Sequence, residues 1–399
     1  MDRLVNTVRP YAWGSATAIP ELLGREATGE PQAELWMGAH PGSPSHVDRG
    51  SGERSLAELI AEDPRRELGA DAVAKFGPSL PFLLKVLAAG TPLSIQAHPD
   101  LAQARTGFAD EEARGVPLDA PHRNYKDANH KPEIICALDE FEGLCGFRSP
   151  ADAAALMESL DTPALAPLIE LLLNKPEAEA LSQALATVLS MTGETAATTV
   201  AEVAAAVEKA AAADPDGQFA GYAFAAREYP GDTGLLAALL LNHFRLQPGE
   251  AVYLGAGLPH AYLRGLGVEL LANSDNVLRG GLTPKHVDVP ELLRVLTFRG
   301  SAPDVLRPVA DASGEQLYPV PIDEFRLSRY LLGAEARQVD GRAAQILLCT
   351  EGSAELTAPD GGTLTLARGE SAFLPATGAG TWTRLTGPGA TVFRATVTL

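Results

Sequence analysis

Positive charge and long apolar runs are both scarce in this chain of 399 residues. Lys and Arg together number 32, of which only seven are lysine, against 51 Asp and Glu, so the formal net charge is −19. Such an acidic chain repels phosphate backbones and anionic lipid, which argues against a nucleic-acid or membrane partner. No apolar run approaches the roughly 20 residues that span a bilayer, and residues 1–6 lack the apolar core of a signal peptide. We therefore expect a cytoplasmic protein.

Cysteine is scarce as well. Cys136, Cys145 and Cys349 form no close pair, and each stands among apolar neighbours. An odd number of widely spaced cysteines argues against a disulfide framework and against a zinc site made of thiolates. We predict three buried, reduced thiols.

The pattern of apolar residues divides the chain into three parts. Residues 1–149 contain short apolar runs bounded by turn formers, which is typical of strands. Residues 150–243 are rich in Ala and Leu, with apolar positions every three or four residues, which predicts helices. The strand pattern returns at residue 244. We predict a mainly β fold of more than one domain, interrupted by an α-helical insert.

A short internal repeat extends this division. Residues 246–254 match residues 366–374 at a constant offset of 120, and both copies contain a Gly-Glu turn before an apolar strand. Such a unit recurs in double-stranded β-helix (jelly-roll) barrels, so we infer two barrels of this kind. Residues 1–149 and 244–320 would form the first barrel, and residues 321–399 the second. The offset places Gly380 opposite His260, so only the first barrel is expected to hold a metal.

Four residues in separate segments could ligate one metal ion. Gln96 and His98 are two residues apart, so on a strand their side chains share a face. Glu133 can approach from a second strand, and His260, which follows a proline, is the best candidate for the fourth ligand. Nitrogen and oxygen donors without sulfur suit Zn²⁺, with Mn²⁺, Fe²⁺ or Co²⁺ possible. A single carboxylate leaves the ion positively charged, as a Lewis acid must be.

Cationic residues fall in or beside the same segments. Lys85, Lys131 and Lys285 are three of the few lysines, and Arg279 ends a polar turn and is followed by two glycines. Glycines let the backbone approach a ligand, and a guanidinium is a strong donor to anionic oxygens. This clustering predicts a basic pocket for a small anionic substrate.

These motifs together resemble the type I mannose-6-phosphate isomerase (phosphomannose isomerase) family. The resemblance runs in order through about the first 300 residues, is thin across the helical insert and is weak in the last 80 residues. The segments that carry it are Tyr11–Gly14, Glu34–Pro41, the strand of Lys85, Ser94–Pro99, Asn124–Glu133, Gly143–Arg148, Gly257–Tyr262 and Ser274–Lys285.

The resemblance implies a zinc enzyme that interconverts mannose 6-phosphate and fructose 6-phosphate. It implies one Zn²⁺ per chain bound by Gln96, His98, Glu133 and His260, with Arg279 as a catalytic residue. The other positions that it implies in the sugar-phosphate site are Trp13, Lys85, Ser94, Lys131, Glu269, Asp275 and Lys285. It also implies cupin-like barrels with a helical domain. We expect a monomer or a weak homo-oligomer.

Aldose–ketose isomerisation moves a proton between neighbouring carbons, and negative charge builds on the enediolate oxygens. The metal and Arg279 would stabilise that charge. Lys131 would shuttle the proton or hold ring oxygens, Glu269 or Asp275 would assist ring opening, and Lys285 would bind phosphate; the proton-transfer base stays unassigned. Two other readings are a non-catalytic sugar-binding cupin and a cupin oxygenase. The acidic chain shows no partner-facing segment for the first, and the neutral Gln96 counts against the second.

Overall fold

The computed structural model describes residues 1–399, and helix and strand each account for 29% of them. The expectation of a mainly β protein is therefore correct only in part: the strands form several antiparallel sheets, but the helical region is as large. No helix is both long and apolar enough to cross a membrane.

Short strands and helices alternate before residue 150. They are β1 (Asp2–Arg3), β2 (Thr7–Arg9), α1 (Ala18–Leu22), β3 (Glu34–Met37), β4 (His46–Asp48), β5 (Glu53–Ser55), α2 (Leu56–Glu62), α3 (Pro64–Leu68), α4 (Ala70–Phe76), β6 (Phe82–Ala89), β7 (Gln96–Ala97), α5 (Leu101–Ala113), β8 (Glu133–Ala137) and β9 (Phe141–Phe147). A capping box begins α5: the Asp100 carboxylate accepts from the Gln103 N–H at 2.7 Å, and the Gln103 side chain accepts from the Asp100 N–H at 2.9 Å.

Helices follow one another from residue 150 to residue 238. They are α6 (Pro150–Glu158), a 3₁₀ turn (Pro163–Leu165), α7 (Ala166–Leu173), α8 (Glu177–Ser190), α9 (Gly193–Ala213), α10 (Phe219–Glu228) and α11 (Gly234–Ala238). Their apolar faces form a core that includes Ala97, Ala261 and Leu278 from β-strand segments. The helical region is therefore packed directly against the strands that carry the site described below.

Strands return after the helices. The elements are β10 (Leu241–Leu246), β11 (Ala251–Leu254), β12 (His260–Ala272), β13 (Leu278–Arg279), α12 (Val289–Val295), β14 (Val305–Leu306), β15 (Glu315–Tyr318), β16 (Arg326–Leu331), β17 (Arg337–Asp340), β18 (Gln345–Glu351), β19 (Ser353–Thr357), β20 (Thr363–Ala367), β21 (Ser371–Leu374), β22 (Trp382–Thr386) and β23 (Thr391–Thr396).

The two larger sheets share the order of five strands. An 11-stranded sheet runs β14-β11-β8-β12-β6-β3-β2, with β7, β9, β10 and β13 joined at its side, and a six-stranded sheet runs β1-β21-β18-β23-β16-β15. The sheets share a core to which Val86 and Val268 contribute from the first, and Phe373 and Phe393 from the second. Because side chains alternate along a strand, residues next to these core positions point to the opposite face of each sheet.

The predicted repeat is present in the backbone as a repeated turn. The Glu250 carboxylate accepts from the Gln247 N–H at 2.9 Å, and the Glu370 carboxylate accepts from the Ala367 N–H at 2.8 Å. The glycine of each turn, Gly249 or Gly369, has a positive φ, 87° and 82° respectively. After the turn, β11 pairs with β8 and β21 pairs with β18, both antiparallel.

The constant offset of 120 does not extend to residue 380, however. His260 begins β12, whereas Gly380 lies in a turn before β22. By strand order the counterpart of β12 is β23, so the connections after the repeated turn differ in length. The expected opposition of Gly380 and His260 is therefore wrong.

The prediction of buried, free thiols is confirmed, because Cys136, Cys145 and Cys349 are all buried and unpaired. Burial raises the pKa of Cys136 to about 11, of Cys145 to about 12 and of Cys349 to about 11. These thiols are therefore protonated near neutral pH, which makes them poor nucleophiles.

Candidate metal centre and active-site cavity

Three side chains from different strand segments converge at one buried point. His98 follows β7, Glu133 begins β8 and His260 begins β12, and their ligand atoms lie within 4.8 Å of one another. His260 Nε2 is 3.0 Å from Glu133 Oε1, and His98 Nε2 is 3.5 Å from Glu133 Oε2. The sheet thus brings together residues that are far apart in the chain.

The hydrogen bonds of the two histidines leave one nitrogen of each ring directed at this point. His98 Nδ1 donates to the Asn276 carbonyl at 2.7 Å, and His260 Nδ1 donates to the Leu258 carbonyl at 3.0 Å. Because a carbonyl only accepts, the hydrogen of each neutral ring is on Nδ1, and Nε2 presents a lone pair.

Two of the converging atoms, His98 Nε2 and Glu133 Oε2, are buried without a hydrogen-bond partner. Burial and the charge of Lys131 lower the pKa of His98 to about 4. Burial opposes ionisation of Glu133, but Lys131 and His98 hold the pKa of Glu133 well below its usual range. A neutral imidazole and an ionised carboxylate, each with one buried atom that has no hydrogen-bond partner, fit a divalent cation.

Strand register places Gln96 beside this cluster. Gln96 pairs with His260 in β12 on one side and with Arg279 in β13 on the other. The three residues also line the same cavity. The structure therefore places Gln96, a predicted ligand, and Arg279, the predicted catalytic arginine, in the cavity that the cluster faces.

The cavity has a volume of about 700 Å³ and contains the predicted site residues. His98 is the exception: it is fully buried behind the cavity wall, and its Nε2 faces the cluster. The predicted residues that line the cavity are Trp13, Lys85, Ser94, Gln96, Lys131, Glu133, His260, Glu269, Asp275, Arg279 and Lys285.

Lys85 is held between two carboxylates on the cavity floor. Its Nζ lies 3.2 Å from Glu34 Oε1 and 3.4 Å from Glu269 Oε2. Burial opposes a charged lysine, but Glu34 and Glu269 outweigh it and raise the pKa of Lys85. Lys85 is therefore an ammonium donor and is unavailable as a base. Burial raises the pKa of Glu269 against the effect of Lys85.

Two further cations mark the inner and outer parts of the cavity. Lys131 Nζ lies 3.3 Å from Glu133 Oε2, so it is adjacent to the cluster. Much of the Lys285 side chain is exposed to solvent. Partial burial, together with the nearby charge of Arg279, lowers the pKa of Lys285. Burial also lowers the pKa of Arg279. The cations are thus spread along the cavity from the cluster to the solvent.

Sequence reasoning did not assign a role to Glu34 or Tyr262, which also line the cavity. The Tyr262 hydroxyl donates to Glu133 Oε1 at 3.4 Å, and Tyr262 could have been found because it lies two residues after His260 on one strand. The side chain of Glu34 also accepts from the Trp36 indole N–H at 2.7 Å. No local signal predicted its contact with Lys85, which lies 51 residues away.

The family model described as "Phosphomannose isomerase type I, catalytic domain" matches residues 1–150. Mannose-6-phosphate isomerase of Escherichia coli K12 is 43% identical over 380 residues, covering 94% of this chain and 95% of that protein. Mannose-6-phosphate isomerase of Homo sapiens is 33% identical over 405 residues, covering 92% of each.

Solved structures agree over the full length. A substituted form of phosphomannose isomerase from Salmonella typhimurium has a TM-score of 0.92 at 40% identity, covering 100% of both chains. A zinc-bound mannose 6-phosphate isomerase has a TM-score of 0.90 at 40% identity, covering 100% of this chain and 99% of the other.

Proposed function

The chain belongs to the type I phosphomannose isomerase family, and we propose that the cavity described above is where it interconverts mannose 6-phosphate and fructose 6-phosphate. The observation that carries the proposal is the convergence of His98, Glu133 and His260, with two buried ligand atoms that lack any hydrogen-bond partner. The zinc-bound relative supports Zn²⁺ as the cofactor at this point.

We propose that each chain holds one zinc ion and that the ligands are Gln96, His98, Glu133 and His260. When bound, zinc supplies a Lewis acid that polarises a substrate oxygen and disperses developing negative charge. The neutral amide of Gln96 adds a ligand without cancelling the positive charge of the ion. The carbonyls of Asn276 and Leu258 hold the two imidazoles in the tautomer that ligation requires.

The chemical step is the transfer of a proton between C1 and C2 of the open-chain sugar through an enediolate. Arg279, whose guanidinium lines the cavity beside Gln96, is assigned to the negative charge on the enediolate oxygens. Lys131 lies next to the cluster, where it can carry the proton or bind the ring oxygens. Lys85 stays charged and orients hydroxyl groups as a donor.

Ring opening needs a group that gives a proton to the ring oxygen and takes one from the anomeric hydroxyl. Glu269 suits this task because burial raises its pKa toward the range in which a carboxyl group holds a proton. Asp275 is the alternative. Its pKa is lowered by a hydrogen bond from His40, so it would act as a base or an acceptor of sugar hydroxyls.

The phosphate group would lie at the exposed end of the cavity, with Lys285 as its cation and Ser94 and Trp13 on the walls. The backbone that carries Lys285 is held from the helical region, because the Thr283 N–H donates to Asp232 Oδ2 at 2.9 Å. Tyr229 also lines the cavity, and its hydroxyl donates to the Pro92 carbonyl at 2.8 Å. The helical region therefore supports the substrate-binding loops.

We also propose the domain organisation that the repeated strand order supports. Residues 1–149 and 244–320 would form a cupin-like catalytic barrel, residues 150–243 a helical insert and residues 321–399 a second cupin-like barrel without zinc. Limited proteolysis with mass spectrometry would test these boundaries, since linkers between domains are cut first.

A coupled assay that follows fructose 6-phosphate formation tests the function. We expect product from the zinc-loaded protein, none after treatment with a chelator, and recovery when Zn²⁺ is added back. Zinc content should be measured on the same samples, so that loss of metal and loss of fold are distinguished. A folded, zinc-loaded protein that forms no product would overturn the proposal and favour a non-catalytic sugar-binding protein.

A further inference from the structure

The shared strand order relates β11, β8, β12, β6 and β3 of the 11-stranded sheet to β21, β18, β23, β16 and β15 of the six-stranded sheet. Beyond the repeated turn, Ala251 pairs with Cys136 in β8, and Ser371 pairs with Leu348 in β18. Cys136 then pairs with Val268 in β12, and Leu348 pairs with Phe393 in β23. The two ladders can therefore be followed strand by strand from the same starting point.

One residue further along these strands, the counterparts are polar and differ in charge. Glu269 of β12 corresponds to Arg394 of β23, and their partners across the next ladder are Lys85 and Ser328. Leu87 and Tyr330 are equivalent, because each lies two residues after the partner just named on its strand. Glu34 pairs with Leu87 and Glu315 pairs with Tyr330, so Glu34 corresponds to Glu315.

The zinc ligand Glu133 also has a counterpart. Glu133 pairs with Leu254 at the end of β11, and Gln345 pairs with Leu374 at the end of β21. The row in the first sheet thus holds three carboxylates and one ammonium, and the row in the second holds one carboxylate and one guanidinium. The formal charge changes from −2 to zero, which removes the attraction for a cation.

A cavity of about 340 Å³ opens on this second row. Glu315, Tyr330 and Arg394 line it, and their counterparts in the first sheet line the active-site cavity. The two cavities therefore occupy the same face of equivalent sheets. The volume falls in the range of sites for small molecules.

Donors prevail among the charged side chains of the second cavity. Arg326, Arg342 and Arg394 outnumber Glu315 and Asp340 among the lining side chains, and each arginine contacts one of these two carboxylates. Arg394 is buried and donates to Gln345 at 2.6 Å and to Glu315 at 3.1 Å, which fixes its plane. The Nε atom of Arg326 is buried and has no hydrogen-bond partner, although Arg326 also donates to Glu315 at 2.7 Å.

We propose that this cavity in residues 313–399 is a second ligand site, which takes a small phosphorylated metabolite without a metal. Phosphate oxygens accept from planar guanidinium groups, and Arg326, Arg342 and Arg394 bring three such groups to this cavity. Trp382 lines the cavity and is 47% exposed, so its ring offers a flat surface to the organic part of the ligand.

Equilibrium dialysis of the full-length, zinc-loaded protein against labelled inorganic phosphate tests this site. Parent protein should show a phosphate site that weakens about tenfold or more in Arg326→Gln, because a charge-assisted donor is lost. The same change is expected in Arg342→Gln, whose side chain is 61% exposed and whose substitution does not disturb the core. Both variants should keep the parental kcat for mannose 6-phosphate.

Arg384→Gln is the matched control, since this arginine is exposed on β22 of the same region and does not line the cavity. It should bind phosphate as the parent does. Phosphate can also bind in the active-site cavity, and the Lys285→Gln variant should lose that binding. The same variant should still bind phosphate at the second site. If Arg326→Gln and Arg342→Gln both bind phosphate with parental stoichiometry and affinity, the proposed site is wrong.

Discussion

His40 Nε2 lies 3.4 Å from the Oδ2 atom of Asp275 at the edge of the active-site cavity. The Gly42 N–H donates to His40 Nδ1 at 3.1 Å, so the hydrogen of the neutral ring is on Nε2 and faces the carboxylate. The edge-to-face contact with Trp36, at 5.0 Å between ring centroids, fixes the ring plane. A buried histidine thus orients an aspartate whose side chain is 55% exposed.

We expect His40→Phe to lower kcat roughly tenfold if Asp275 has the proposed catalytic role, because a carboxylate that loses its anchor samples unproductive positions. His40→Gln should retain more activity, since its amide can still donate to Asp275. The hydrogen bond from His40 lowers the pKa of Asp275, so its loss should move an acid limb due to Asp275 to higher pH. Zinc content and thermal midpoint serve as controls for fold; equal pH profiles in parent and His40→Phe would refute the role.

Arg279→Ala should lose most turnover while keeping zinc and fold. Removing a donor that stabilises transition-state charge costs on the order of 10²- to 10³-fold in kcat. Arg279→Lys keeps the charge but not the planar fork, and we expect an intermediate rate. Steady-state kinetics with zinc analysis measures both; turnover of Arg279→Ala at the parental rate would show that this residue is not catalytic.

His260→Ala and Glu133→Gln should both lose zinc, because each removes a ligand atom from the buried cluster. Gln96→Ala should retain more zinc than either, since the amide contributes no charge. Zinc also stabilises the fold by mass action, at about 2.7 kcal/mol when free zinc is 100 times its Kd. Metal analysis and thermal unfolding with and without chelator measure these effects, and full zinc occupancy in Glu133→Gln would contradict the assignment.

Glu142→Gln should destabilise the protein by about 1–3 kcal/mol near neutral pH, because it removes the charge of a buried carboxylate that binds the half-exposed Arg264. Burial opposes ionisation of Glu142, but His243, Arg264 and Arg245 lower its pKa below the usual 4.5. A lowered pKa stabilises the folded state above the unfolded pKa, and this stability is lost as pH falls through the folded value.

The free-energy gap between parent and Glu142→Gln should therefore shrink below about pH 4.5. Urea unfolding from about pH 2.5 to pH 7 measures it, so that the range extends well below the usual value of 4.5. Glu140→Gln, at the neighbouring exposed position, should show no comparable gap. A gap for Glu142→Gln that is constant over this range would mean that ionisation of Glu142 does not contribute.

Gly107→Ala should destabilise the protein although alanine is favoured in helices by about 1 kcal/mol. A Cβ atom at Gly107 in α5 would lie 2.3 Å from the ring of Tyr125, a fully buried residue. Overpacking costs about 1–3 kcal/mol and should outweigh the gain in propensity. Gly333→Ala, with nothing within 4 Å of the added atom, is the control. Thermal unfolding measures the midpoint of each variant, which should fall for Gly107→Ala and not for Gly333→Ala. An unchanged midpoint for Gly107→Ala would refute the argument.

The chemical identity of the site could be read from the sequence because its residue types and spacings are local. Gln96 and His98 are two positions apart, His260 follows a proline, and Arg279 precedes two glycines. Each pattern constrains a side chain through the geometry of its own strand or turn. The repeated Gly-Glu turn is local in the same sense, and the Glu250 and Glu370 carboxylates close it identically.

Contacts between distant strands could not be predicted in this way. The pair Glu34 and Lys85, the contact of His40 with Asp275, and the failure of the offset at Gly380 all depend on which strands become neighbours. A single sequence does not encode register between segments separated by 50 or more residues in any local pattern.

The sequence by itself determined the donor types of the candidate metal site, the cations that line the cavity and the presence of a helical region, because these depend on residue identity and short-range periodicity. The tertiary structure alone decided that His98 lies behind the cavity wall, that Lys85 stays charged between two carboxylates, and that Arg394 occupies the place of Glu269 in the second sheet. Burial and charge environment arise from the pairing and packing of remote segments, and they exist only once the chain has folded.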